Sequence, residues 1–255
     1  MELVYPPVIG LARSVFALQG LRFTLRGTEH VPREGGAVMA CNHLGYMDFT
    51  YVGLAARPAG RYVRFMAKRE VFDHRVAGPL MRGMRHINVD RAAGAASYRA
   101  AVTALKAGEV VGVFPEATVS RTYELGPFKS GAVRMARDAG VPLLPTAVWG
   151  SQRVWTKGRP RQLGRHRIPV HVYVGEPLVV PRGGDVEAAA VELRRRMSDL
   201  LHQAQEAYED RPASPEDGWW LPARLGGSAP APDLPPAPQP DPAPGAEGSR
   251  TVDGA

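Results

Sequence analysis

Cysteine is nearly absent from this chain: Cys41 is the only one in 255 residues. A single thiol excludes an internal disulfide and any cysteine-based metal cluster, and it fits a reducing compartment. Long apolar runs are missing as well, and no stretch reaches the roughly 20 charge-free residues needed to cross a bilayer. The opening segment lacks the basic stretch of a secretory signal and carries Pro6-Pro7 early. There is no Gly-x-Ser-x-Gly elbow, so no serine nucleophile of that kind is indicated. The seven histidines show neither His-Glu-x-x-His nor Cys/His ligand spacing, and no metal is expected.

Acidic residues are in short supply, 25 against 32 Lys and Arg, for a net charge of +7. The imbalance is uneven. Three basic and six acidic residues follow residue 210, so residues 1–210 hold 29 basic against 19 acidic side chains, a surplus of +10. Such a surplus suits phosphate groups, an acidic carrier protein or a membrane surface with anionic lipid. No aromatic-studded basic run favours nucleic acid, and none is expected as a partner. Eleven of the 24 prolines also follow residue 210, where PAPDLPPAPQPDPAPG reads as a disordered or extended tail. At its base, Trp219-Trp220-Leu221-Pro222 fits either docking on the domain or contact with membrane.

What is present is an alternation of apolar segments, with 44% hydrophobic residues to fill a core. Val8, Leu11, Ala12, Val15, Leu18 and Leu21/Leu25 follow helical spacing, making residues 1–26 a helical segment. It lies at a membrane interface or packs on the domain. Strands are predicted over 37–41, 62–67, 85–89, 110–114, 143–148 and 168–174. Helices are predicted from Asp48 and over 97–106, 129–138 and 185–208. This pattern predicts an α/β layered domain over 27–210, with a mixed central sheet flanked by helices, then a Pro-rich tail over 211–255. Parallel pairing throughout is not assured, because several connections are short.

Chemistry concentrates in AVMACNHLGYMDFT, residues 37–50. A histidine just past a strand, with a carboxylate five positions on, is a candidate general base with its orienting partner. Within one helix His43 and Asp48 would not share a face; they converge only if His43 ends a strand and Asp48 starts a helix. At that position Asp48 also complements the helix dipole, a role compatible with the first. Alone the pattern is unspecific, arising by chance in about one chain in three at ordinary Asp usage. Cys41, beside it, reads better as a small buried hydrophobe than as a nucleophile. A second cluster, FPEATVSR at residues 114–121 with Lys129 beyond, delivers a carboxylate, a hydroxyl and a guanidinium at a loop after a strand. The competing reading makes Glu116 an ordinary ion-pair partner in a structural loop.

Together these segments resemble the glycerolipid acyltransferase family, which includes the 1-acyl-sn-glycerol-3-phosphate acyltransferases. Four blocks stand in order: Asn42-His43 with Asp48; Lys68-Arg69-Glu70 through Gly78-Pro79 and Gly83 to Ile87-Asn88-Val89-Asp90-Arg91; Phe114-Pro115-Glu116-Ala117-Thr118-Val119-Ser120 through Lys129-Ser130-Gly131; and Val141–Pro145. Gly175-Glu176-Pro177 matches the family's closing strand, and the likeness covers roughly residues 20–205. The resemblance implies that His43 activates an acceptor hydroxyl, held in place by Asp48. That hydroxyl attacks the thioester of acyl-CoA or acyl carrier protein, with no acyl-enzyme and no cofactor. It also implies that Lys68, Arg91, Glu116, Thr118, Arg121 and Lys129 bind substrate, and that the fourth block lies near the acyl groove. The acceptor so implied is a lysophospholipid, 1-acyl-sn-glycerol-3-phosphate first, met at the cytoplasmic face of the cell membrane by a peripheral or monotopic enzyme. Two positions depart from the pattern: Ala117 stands where the family usually has Gly, and Val119 where it usually has Arg. They keep a different lyso-lipid or a glycolipid open as acceptor. A hydrolase that uses His43 to activate water is the alternative activity.

Overall fold

A computed structural model describes residues 2–90 and 94–231. Seven strands form one sheet: β1 (Arg22–Arg26), β2 (Ala37–Cys41), β3 (Val63–Lys68), β4 (Ile87–Val89), β5 (Val110–Val113), β6 (Leu143–Trp149) and β7 (Pro169–Val174). Their spatial order is β1-β7-β6-β2-β5-β3-β4. The strands from β6 to β4 are parallel, whereas β7 pairs antiparallel with β6 and carries β1 parallel beside it. The sheet is therefore mixed, as the short connections imply.

Helices cover both faces: α1 (Tyr5–Gln19), α2 (Asp48–Ala55), α3 (Arg69–Asp73), α4 (Ala77–Gly83), α5 (Gly94–Lys106), α6 (Gly131–Ala139) and α7 (Val186–Glu206). Strand β2 runs mid-sheet, and every residue of AVMAC is buried. Its side chains alternate between two cores. Ala37, Met39 and Cys41 meet Phe16 of α1 and Tyr51, Val52 and Ala55 of α2. Val38 and Ala40 meet Leu105 of α5, Met135 of α6 and Met197 of α7. A strand covered on both faces has no reason to alternate apolar with polar residues, so this run is continuously apolar.

The N-terminal segment differs from its sequence reading. Helical spacing holds only to Gln19, where Gly20 takes a left-handed φ of 70° and its N–H closes the helix on Ala17 O at 3.0 Å. Residues 22–26 then form edge strand β1, which the leucines at 21 and 25 disguised by continuing the helical period. Helix α1 is anchored by buried Phe16 and by Tyr5, whose hydroxyl donates to Val63 O at 2.7 Å. Its outer side keeps Leu11 69%, Val15 42% and Leu18 76% exposed. At 1.5 Å per residue its length is about 22 Å, short of the ~30 Å bilayer core. Among the described residues no helix is long and apolar enough to cross a membrane.

A further difference concerns the C-terminal half. Packing does not stop at the expected boundary of 210: 3-10 turns at Glu216–Trp220 and Ala223–Leu225 keep the chain against the body, with Trp220 only 1% exposed. The tryptophan pair docks on the domain, because its apolar area outweighs the proline-rich composition around it. The stretch from residue 232 onward lies outside the described residues. In the fourth block, expected near an acyl groove, Leu143 and Leu144 are fully buried at the amino end of β6, with Leu143 opposite Val38.

Candidate active site

The parallel strands β2, β3 and β5 deliver their carboxyl ends to one edge of the sheet, where open α/β sheets place their ligands. Residue 43 follows β2 by two positions and Asp48 opens α2, so the turn between them folds the imidazole over the carboxylate. The His43 Nδ1–H donates to Asp48 Oδ2 at 2.9 Å. The same oxygen accepts the backbone N–H of Leu44 at 2.7 Å and of Gly45 at 2.8 Å. Asp48 is fully buried, while the His43 side chain keeps 20% exposure. A carboxylate on Nδ1 fixes the tautomer that leaves Nε2 as the basic nitrogen. Asp48 remains in the first turn of α2, so the helix-dipole role persists beside this one.

Neighbouring groups hold this turn on every side. The Phe114 ring stacks on His43, with centroids 4.2 Å apart and planes at 20°. Asn42 clamps β6: its Nδ2–H donates to Val148 O at 3.0 Å, and its Oδ1 accepts Val148 N–H at 2.7 Å. Thr156 Oγ1 donates to Leu44 O at 2.6 Å. A Cβ at Gly45 would sit 2.9 Å from Trp155 O, so this position admits glycine alone without the 151–156 segment moving. Cys41 is buried, and burial pushes its thiol well above the ordinary range, which excludes it as a nucleophile.

Glu116 reaches the same turn from the loop after β5. Its Oε1 accepts the His43 backbone N–H at 3.1 Å, and its Oε2 accepts the Gly126 N–H at 2.9 Å. It is no ordinary ion-pair partner, since both its bonds come from backbone amides. Burial pushes its carboxyl up from 4.5 to about 7, against the opposing pull of those two bonds. A carboxyl raised by folding binds its proton more tightly in the native state. That contribution is complete below about pH 4.5 and is lost as pH rises through about 7. At about 1.4 kcal/mol per unit it amounts to roughly 3 kcal/mol. Glu116→Gln has no such titration. The stability of the wild type relative to this variant is expected to fall by that amount between about pH 4.5 and 8, measured by urea denaturation.

Lys68 at the end of β3, and Thr118, Arg121 and Lys129 in the loop after β5, are all exposed on this edge. Their side chains make no hydrogen bond or ion pair among the described residues. The structure thus brings both Asp48 and Glu116 into direct contact with His43 and leaves these four as exposed groups on the same edge. Arg91 lies outside the described residues. Val119 is buried at 9% exposure, so no cation replaces the missing arginine at its own position. Ala117 has φ 56°, the left-handed region that a Cβ disfavours by about 1 kcal/mol. Ala117→Gly is expected to raise the melting temperature by about 2–4 °C in a thermal scan, with turnover retained.

Sequence reasoning missed Asn42 as the β6 clamp, Phe114 as the ring under His43, and Gly126 as the second holder of Glu116. Only Gly126 left a signal, a glycine between the carboxylate and the next helix; a Cβ there would approach Glu116 Oε2 to 3.2 Å. Among the described residues no group of three or more His, Cys, Asp or Glu is placed to hold a metal ion.

A model of the Acyltransferase family matches residues 22–149, half of the chain, from β1 to the end of β6. This chain belongs to that family. The acyltransferase is 33% identical over 154 residues to the 1-acyl-sn-glycerol-3-phosphate acyltransferase of Bacillus subtilis, covering 59% of this chain and 70% of that one. It is 32% identical over 190 residues to the bovine 1-acyl-sn-glycerol-3-phosphate acyltransferase alpha, covering 73% and 65%. For the Limnanthes douglasii 1-acyl-sn-glycerol-3-phosphate acyltransferase the identity is 32% over 148 residues, covering 56% and 51%. The chain thus spans between about half and seven-tenths of these relatives' lengths. The crystal structure of the 1-acyl-sn-glycerophosphate (LPA) acyltransferase PlsC from Thermotoga maritima shares the fold, with a TM-score of 0.61 over 80% of each chain at 22% identity.

Proposed function

We propose that this acyltransferase moves a fatty acyl group from acyl-CoA or acyl carrier protein to the hydroxyl of 1-acyl-sn-glycerol-3-phosphate, giving phosphatidic acid. The observation that carries this reading is the buried Asp48 holding an accessible imidazole at the sheet edge that also carries the exposed Lys68, Arg121 and Lys129. His43 Nε2 takes the proton of the acceptor hydroxyl as that oxygen attacks the thioester carbonyl. The tetrahedral intermediate then expels the thiolate, which recovers the proton from the imidazolium. No acyl-enzyme forms. Asp48 holds the ring and stabilises its charged form. Lys68, Arg121 and Lys129, with Arg91, supply charge for the acceptor phosphate and Thr118 a hydroxyl; Glu116 holds the His43 turn through its backbone.

Acyl chains explain where the reaction occurs. At about 0.8 kcal/mol per methylene, a long chain exposed to water represents on the order of 10 kcal/mol, so the substrates stay in a bilayer. The exposed Leu11, Val15 and Leu18 on α1 and the +10 surplus of residues 1–210 support peripheral docking to anionic lipid at the cytoplasmic face of the cell membrane.

The test is one assay with labelled acyl-CoA and acceptors presented in anionic vesicles. Labelled phosphatidic acid is expected with 1-acyl-sn-glycerol-3-phosphate. Preference for another lysophospholipid or a glycolipid would reassign the acceptor, in line with Val119. Equal release of CoA with and without acceptor would instead establish a hydrolase and overturn the transfer reading.

A further inference from the structure

The segment after residue 210 lies outside the family match, yet it closes on the loop that carries Glu116. Within that loop Ser120 N–H donates to His43 O at 2.7 Å, and Ser120 Oγ donates to Glu124 O at 2.9 Å. Gly126, two residues further on, holds Glu116. Tyr123 between them has a left-handed φ of 57°. A tyrosine does not choose that conformation unaided, so surrounding contacts must impose it. Tyr123 hydrogen-bonds to Thr156 and Arg159, and Arg194 of α7 donates to Leu125 O at 3.0 Å; the C-terminal segment supplies further contacts. The Trp219 ring meets the Tyr123 ring edge-on at 6.4 Å, and Arg224 Nε donates to Glu124 Oε1 at 2.6 Å. Arg224 also donates to Gln205 Oε1 at the end of α7, which ties the loop to a long helix.

The same segment supports the other half of the site. Trp220 is buried in one apolar cluster with Leu44, Trp149 and Tyr208. Leu44 is the residue whose N–H donates to Asp48. Gln152 Nε2 donates to Trp220 O at 3.1 Å, fastening the segment beside the 151–156 stretch that buttresses Gly45.

Magnitudes separate positioning from stability. The Arg224–Glu124 pair has side chains 39% and 18% exposed, and a pair so open to water contributes at most about 1 kcal/mol to folding. A displacement near 1 Å of a catalytic group, in contrast, costs up to about 10²-fold in rate. We propose that residues 216–229 are a positioning strap for the catalytic loop, with Arg224 and Trp219 as positioning residues. Neither touches substrate. They act through Glu124 and Tyr123 on the backbone that holds His43 and Glu116, an inference that rests on His43 being the base.

The experiment uses the full chain with Arg224→Ala, Arg224→Lys and Trp219→Ala, and His43→Ala as control. Steady-state kinetics are read beside amide exchange of the 120–126 segment. Arg224→Ala and Trp219→Ala are expected to lower kcat about tenfold, with KM for the acyl donor within about twofold. Exchange should rise in 120–126 and stay unchanged in β2 and β5, and Arg224→Lys should regain part of the rate. Wild-type kcat in the folded variants overturns the strap, as does a loss matched by faster exchange in β2 and β5, the mark of general destabilisation. Should Arg224→Ala not fold, Trp219→Ala and Arg224→Lys are judged by the same two criteria. Turnover by His43→Ala overturns the base assignment; an inactive His43→Ala beside fully active strap variants overturns the strap alone.

Discussion

His43→Ala is expected to lower kcat for acyl transfer by about 10²–10⁴-fold, the range a positioned general base supplies, while the melting temperature stays within a few degrees of wild type. Stability should survive because, among the described residues, the only hydrogen bond of the ring is to Asp48 Oδ2, which keeps the N–H groups of Leu44 and Gly45 after the ring is gone. No buried donor is orphaned, and the ring itself is partly exposed. The check is thiol release from acyl-CoA in the presence of acceptor, beside a thermal scan. Near-normal turnover in a folded variant would remove His43 from the chemistry.

Asp48 separates chemistry from folding, because its two simplest replacements should fail differently. In Asp48→Asn the amide oxygen still accepts from Leu44 and Gly45, so the turn persists. It lacks the charge that stabilises an imidazolium, and kcat is expected to fall by about 10²-fold or more. Some stability is lost as well, since Oδ1 has no partner among the described residues and an amide donor placed there would be buried unpaired. Asp48→Ala orphans the backbone donors of Leu44 and Gly45 at once, at about 1–3 kcal/mol each. Against a typical total of about 5–15 kcal/mol this is a large loss, visible in a urea titration. An Asn variant that is fully active would reduce Asp48 to a turn-former.

Much of the fold was legible because its central strands are covered on both faces. AVMAC is a continuous apolar run and LLPTAVW is apolar but for Thr146, and their predicted limits agree closely with β2 and β6. Helices α5 and α6 declared themselves by the glycines that follow them, Gly108 and Gly140, and α7 by its period. The short α3 and α4 did not, since five and seven residues give too few turns for a period to register. Strand β1 was hidden because Leu21, just before it, and Leu25, within it, continue the helical period.

The amino-acid sequence by itself singled out His43 and Asp48 as the groups proposed here to carry the chemistry. A histidine two residues past a buried strand and an acid at the next helix start can converge, and in the folded chain they do, with His43 Nδ1 and Asp48 Oδ2 2.9 Å apart. Tertiary structure alone decided what holds them there. The bonds of Glu116 to His43 N–H, of Asn42 to Val148 and of Arg224 to Glu124 join residues 73, 106 and 100 positions apart. Contacts of that span leave no local period or spacing, since they exist only once the sheet has brought the ends of its strands together.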